Sequence, residues 1–147
     1  MKARIVVISI LSLLLCASTS YSRDVKKSFS IRDAMEKPVV QDVLNNGVAL
    51  YWGDQPHPAV VREYGTFKSN KRTNGFRKKH EDACARALAS ALVALQDRAD
   101  REGGNGVINI KSYIKNRENS SSTEYSCLVG GMMVNVVLKG TVVQLAQ

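Results

Sequence analysis

Nowhere does the sequence stay apolar for the ~20 residues that a membrane-crossing helix requires. Its longest uncharged apolar stretch, residues 5–16, is little more than half that length. Histidine is scarce. The two copies, His57 and His80, are far apart, and neither stands at metal-ligand spacing from a Cys, Asp or Glu that a loop would hold beside it, so no metal is expected. No GxSxG turn offers a nucleophilic serine, no GxxxxGK[ST] loop cradles a nucleotide phosphate, and no CxxC pair marks a redox site. The run Gly103-Gly104-Asn105-Gly106 has the composition of a phosphate loop but follows a helix and opens a strand, the reverse of the order that aims helix N–H groups at phosphate. It reads as a helix stop. The sequence thus predicts no cofactor, no ATP and no enzyme.

What is present begins with an export signal. Lys2 and Arg4 form a positive start, residues 5–16 an apolar centre, and residues 17–22 a mostly small-residue end, the three parts of a cleavable secretory leader in their working order. Cleavage is expected after Ser22, with Ser18 and Ser20 as alternatives; the competing reading is a buried N-terminal strand. Cys16 raises the prospect of a lipid anchor, which Leu15 disfavours, because lipid attachment usually wants a small residue before the cysteine. Domain boundaries of 1–22 for the leader and 23–147 for a single domain follow, with a periplasmic or secreted address and no transmembrane segment in the mature chain. Loss of Lys2 and Arg4 leaves nineteen basic residues against thirteen acidic, a net +6 that favours anionic partners.

Two cysteines remain after processing, Cys84 and Cys127. An even count in an oxidising compartment predicts one disulfide, which in the chain-entropy model stabilises a loop of this length by roughly 4 kcal/mol. The alternative, a reactive Cys84 thiol near a helix N-terminus, has no resolving cysteine close by.

The clearest element is a helix over 81–102. Cys84, Leu88, Ala91, Leu92, Leu95 and Ala99 share one stripe, with Glu81 and Asp82 at the positive end of the dipole and Gly103-Gly104 as the stop. Ser30 caps a short helix from Ile31, which Pro38 is expected to interrupt. Strands are predicted over 48–52 and 59–67, paired across the proline-containing loop 53–58, with a basic surface connection over 69–79. Another strand covers 107–114, with Ile108, Ile110 and Ile114 on one face and Asn109, Lys111 and Tyr113 on the other. A final strand region, 124–145, alternates Met132, Val134, Val136 and Leu138 with Asn135 and Lys139, broken or bulged at Gly130-Gly131 and near Gly140. The predicted fold is α+β: one long helix packed on an antiparallel sheet of three to five strands in a two-layer sandwich, plus a short N-terminal helix.

The best candidate binding surface is the basic segment with Arg62, Lys68, Lys71, Arg72, Arg77, Lys78 and Lys79, in which Tyr64 and Phe67 are interleaved. Charge with aromatics holds a polyanion by ionic contacts and stacking, whereas the plain reading is a solvated loop whose lysines discourage aggregation. Trp52 and Asp54 are further contact candidates as loop-borne groups beside a sheet. An enzymatic alternative makes Asp54 and His57 an acid/base pair in a small hydrolase-like site.

Tyr51-Trp52-Gly53-Asp54-Gln55 with Pro58, Ser69-Asn70-Lys71-Arg72-Thr73-Asn74, Leu95-Gln96-Asp97-Arg98-Ala99 and Glu102-Gly103-Gly104-Asn105, together with Cys84 and Cys127, resemble small exported bacterial proteins labelled as excinuclease ATPase subunits. The ATPase that label implies needs a P-loop, and this sequence has none. The helix, the Gly-Gly-Asn turn and the strands after it more distantly resemble the Rcs envelope-stress lipoprotein and heavy-metal-binding-like domains, which implies an α+β plan with disulfide use. The expected function is a non-enzymatic interaction module of the bacterial cell envelope, in envelope maintenance or stress response. Its expected partner is an envelope protein or an anionic envelope polymer, with nucleic acid disfavoured.

Overall fold

The structure, a computed structural model, describes residues 23–147. The predicted leader, Cys16 included, lies outside the described residues. Among those described, three helices and seven strands follow in the order β1 (Val25–Ser30), α1 (Ile31–Met35), α2 (Pro38–Gln41), β2 (Ala49–Trp52), β3 (Val60–Asn74), α3 (His80–Glu102), β4 (Gly106–Ile114), β5 (Arg117–Asn119), β6 (Glu124–Val129) and β7 (Met133–Leu145).

Alanine and leucine spacing makes α3. Its predicted stripe is its buried stripe: Cys84, Leu88, Ala91, Leu92, Leu95 and Ala99 are all at most 1 % exposed. The helix ends where Gly103 takes a left-handed φ of 81°. Two N–H groups then cap the last turn, Gly103 to the Asp100 carbonyl at 3.1 Å and Gly104 to the Ala99 carbonyl at 2.8 Å. The alanines also let the helix lie close to the sheet. Beneath it Gly140 leaves no room for a side chain, because a Cβ there would stand 2.7 Å from Val107 Cγ1 and 3.6 Å from Leu95 Cδ1.

Strand β7 is the spine of the sheet. Strand β3 pairs with it along its whole length on one edge, while the other edge is shared: β6 pairs near Val134 and Asn135, and β4 pairs from Leu138 to Val143. The sheet forks there. Strand β1 extends the β6 branch, and β2 and β5 both pair with β4. Helix α3 packs on one face against β7, β3 and β4, with α1 and α2 beside it.

Cys84 on α3 and Cys127 on β6 are a disulfide pair, Cα atoms 6.0 Å apart, both fully buried. The predicted bond thus ties helix to sheet. A second tie is the buried Gln96. Its Oε1 accepts the Asn45 N–H at 2.8 Å, and its Nε2 donates to the carbonyls of Asn45 (2.7 Å) and Val48 (2.8 Å), pinning the chain that leads into β2.

The α+β class agrees with expectation, but the sheet is larger than the predicted three to five strands and is not wholly antiparallel. Strand β2 pairs in parallel with β4 rather than with β3. The loop 53–58 therefore joins two distant strands and is not a hairpin. Residues 69–74 belong to β3 instead of a surface connection, because β7 supplies main-chain partners as far as Asn74. Pro38 starts α2, where its missing N–H costs nothing. Strand β7 runs unbroken through Gly140, whose lack of a side chain serves close packing rather than a bulge. In β4 a register shift at Asn109, φ 52°, turns Val107 rather than Ile108 inward.

Candidate functional site

Among the described residues no helix covers the face of the sheet away from α3, and alternation decides what stands on it. Along β7, Val134, Val136, Leu138 and Val142 turn toward α3, so Asn135, Val137 and Lys139 turn away. Strand β3 lies in register with them: Lys68 opposite Lys139, Asn70 opposite Val137, Arg72 opposite Asn135. Strand β4 adds Lys111, also opposite Lys139, and Tyr113 two residues on. Four cations from three strands thus share one surface.

Like charges directly across a sheet repel, and two neighbours moderate that repulsion here. The Tyr113 ring receives Lys139 Nζ at 4.8 Å and Lys68 Nζ at 5.8 Å from its centroid. Glu118, on β5, accepts from Lys111 at 3.1 Å through Oε2 and from Lys139 at 3.0 Å through Oε1. Those two ammonium groups hold its carboxyl below the usual range, the Lys139 hydrogen bond contributing most, and Glu118 in turn holds Lys139 above its ordinary value. Lys68 and Arg72 have no ion-pair partner among the described residues.

Where β4 and β6 diverge from β7, a depression of about 310 Å³ opens. Val137, Leu128 and Asn135 line it together with Tyr113, Lys68 and Arg72. The hairpin between β4 and β5 turns on Lys115 and Asn116, both left-handed at φ 53° and 58°, as a two-residue type I′ turn requires. That turn places Lys115 at the same depression. The buried Oδ1 of Asn135, in the lining of this depression, has no hydrogen-bond partner among the described residues. A second depression of about 450 Å³, with Lys26, Arg117, Ser126 and Asp24 in its lining, continues from the first across Leu128 and Lys115. Together they form a basic trough, aromatic at one end, able to hold an extended anionic chain by ionic contacts and stacking.

The residues singled out from sequence are dispersed. Trp52 is 3 % exposed, a core residue at the end of β2 rather than a loop-borne contact. Asp54 and His57 are exposed and not hydrogen-bonded to each other. His57 Nδ1 lies 2.8 Å from the Pro58 carbonyl, and its ring packs against Tyr51. Arg62 stands over Tyr64 at the far end of β3, where the Tyr64 hydroxyl donates to the Gly103 carbonyl. Lys71 turns to the helix side, beside Val93 and Asp97. Lys78 and Lys79 lie in the turn before α3. Of the basic residues named, Lys68 and Arg72 join the open face. A single basic loop does not exist, because a strand sends alternate residues to opposite sides.

Lys111, Tyr113 and Lys139 carry the site although binding had not been assigned to them. Their signal was the polar half of the alternation in two strands, which becomes a surface only once those strands are adjacent. No group of three or more potential metal ligands occurs among the described residues. Comparisons with protein-family models, curated proteins and solved structures yield no match.

Proposed function

We propose that this chain is an exported, non-enzymatic interaction module of the cell envelope that binds an anionic polymer along the open sheet face. The observation that carries the reading is the convergence of Lys68, Arg72, Lys111 and Lys139 around Tyr113 on a face that no helix among the described residues covers. Regularly spaced cations on a rigid sheet suit a repeating anion. The envelope setting draws support from the leader-like residues 1–22 and from the buried cysteine pair, which fits an oxidising compartment. No helix among the described residues is long and apolar enough to cross a membrane.

Titration with a heparin fragment, followed by backbone amide shifts, tests the location. The expected perturbations fall on residues 68–72 of β3, 111–116 at the end of β4, and 135–139 of β7. Perturbations centred on the loop 53–58 instead would transfer the site to Asp54 and His57 and contradict the proposal.

A further inference from the structure

At the end of the sheet where β7 begins, two turns stand side by side. The Gly75 N–H donates to the Met132 carbonyl at 2.8 Å, joining the turn after β3 to the one between β6 and β7. Each turn is internally fixed, the first by the Phe76 N–H on Asn74 Oδ1 at 2.8 Å, the second by the Gly130 N–H on the Met133 carbonyl at 2.9 Å. Both offer large apolar side chains to solvent: Met132 is 64 % exposed, Phe76 48 % and Met133 46 %. Exposed apolar groups gathered at one tip call for a partner.

The surrounding charge says which. The Arg77 guanidinium lies 5.2 Å from the Phe76 ring, Lys78 and Lys79 follow it, and Arg72 shares a depression with Met132 and Met133. The acids near this end are engaged or few. Glu81 and Asp82 pair with Lys37 at 3.2 and 2.8 Å, which leaves Asp24, in the same depression as Arg72, facing the tip. The exposed apolar side chains stand on two adjoining turns, an arrangement that suits a surface able to yield to them.

We propose that Phe76, Met132 and Met133 insert into the interfacial zone of an anionic lipid bilayer, with Arg72, Arg77, Lys78 and Lys79 meeting the head groups. Short apolar side chains ringed by cations bind reversibly in this way, the apolar part supplying depth and the cations selectivity for acidic lipid. This docking is separable from the polymer-binding reading: the two share Arg72, but Phe76, Met132 and Met133 stand at the end of the sheet and not in the trough beside Tyr113.

The test is sedimentation of the purified protein with phosphatidylcholine vesicles, with and without phosphatidylglycerol. Binding is expected only to the phosphatidylglycerol vesicles. The triple variant Phe76→Ser, Met132→Ser, Met133→Ser should weaken it by at least about tenfold, and Arg77→Gln with Lys78→Gln by about fivefold per cation removed. Heparin binding should stay unchanged in the serine variant, which also reports that its fold is intact. The pair Lys68→Ala, Lys139→Ala should do the opposite, losing heparin and keeping vesicles. Parental vesicle binding by the serine variant would overturn the proposal, as would equal binding to both vesicle types. So would a concentration-dependent dimer, measured by light scattering, that the serine substitutions abolish without any vesicle binding by the parent.

Discussion

The two faces of the sheet are made from the same strands by opposite halves of one alternation. On the covered face, β7 sets Val134, Val136 and Leu138 against Leu88, Leu92 and Leu95 of α3, and none of these side chains is more than 1 % exposed. On the open face the residues between them, Asn135, Val137 and Lys139, meet Arg72, Asn70 and Lys68 of β3. Burial on one side stabilises the fold by removing apolar surface from water. Stacked cations on the other side are neutral or adverse for stability, and among the described residues Glu118 and the Tyr113 ring soften them. The contrast separates what holds the molecule together from what it presents to a partner.

Substitutions on adjacent residues break the comparison most sharply. Leu138→Ala, on the covered face, should cost about 3 kcal/mol in denaturant unfolding, because the helix and disulfide above it prevent the space from closing. Lys139→Ala, one residue on, should leave the melting temperature nearly unchanged and reduce binding to sulfated polyanions. Equal effects of the two on stability would mean that the open face is also structural.

A smaller effect sharpens the same comparison. Glu118 competes with any bound anion for Lys111 and Lys139, so Glu118→Gln should tighten heparin binding by roughly threefold, the scale of surface ion pairs. The pH dependence has a definite sign. A carboxyl held below its ordinary value favours the folded state while ionised, and that contribution is lost as pH falls through its lowered folded value. Polyanion affinity should therefore rise over the same acid window in the parent, as Glu118 neutralises and frees both lysines. The window must be read with a sulfated ligand, whose own charge stays constant there. In the Gln variant that rise should be absent.

How much of this could be read from the chain differs between the same two faces. Helix α3 was legible to within a residue, because six apolar positions repeat at helical spacing between an acidic first turn and two glycines. The cysteine pair was legible from count and compartment. The polar halves of β4 and β7 were visible as Asn109, Lys111, Tyr113, Asn135 and Lys139. Their assembly was not, since it depends on β4 and β7 being neighbours across about thirty residues of chain. The second half of β3 escaped because Asn70, Lys71, Arg72 and Asn74 have weak strand preference, and only the long pairing with β7 overrides it. Strand β1, with Lys26 and Lys27, was missed for the same reason; its partner is β6, a hundred residues away. Trp52 was misassigned because a tryptophan next to a Gly-Asp turn looks exposed until the parallel pairing of β2 with β4 draws it under the core. Met132 went the other way. It continues the apolar alternation of β7 in sequence but sits in the turn before the strand begins, 64 % exposed.

The most direct test of the central claim is the salt dependence of heparin affinity for the parent and for the triple variant Lys68→Ala, Arg72→Ala, Lys139→Ala. Each ionic contact contributes a slope of about 0.7 to 0.9 in log affinity against log salt. The variant should therefore bind more weakly at every salt concentration and lose about two units of slope, with its unfolding transition unchanged. A variant that keeps the parental slope would contradict the account and place the anion site away from the open face.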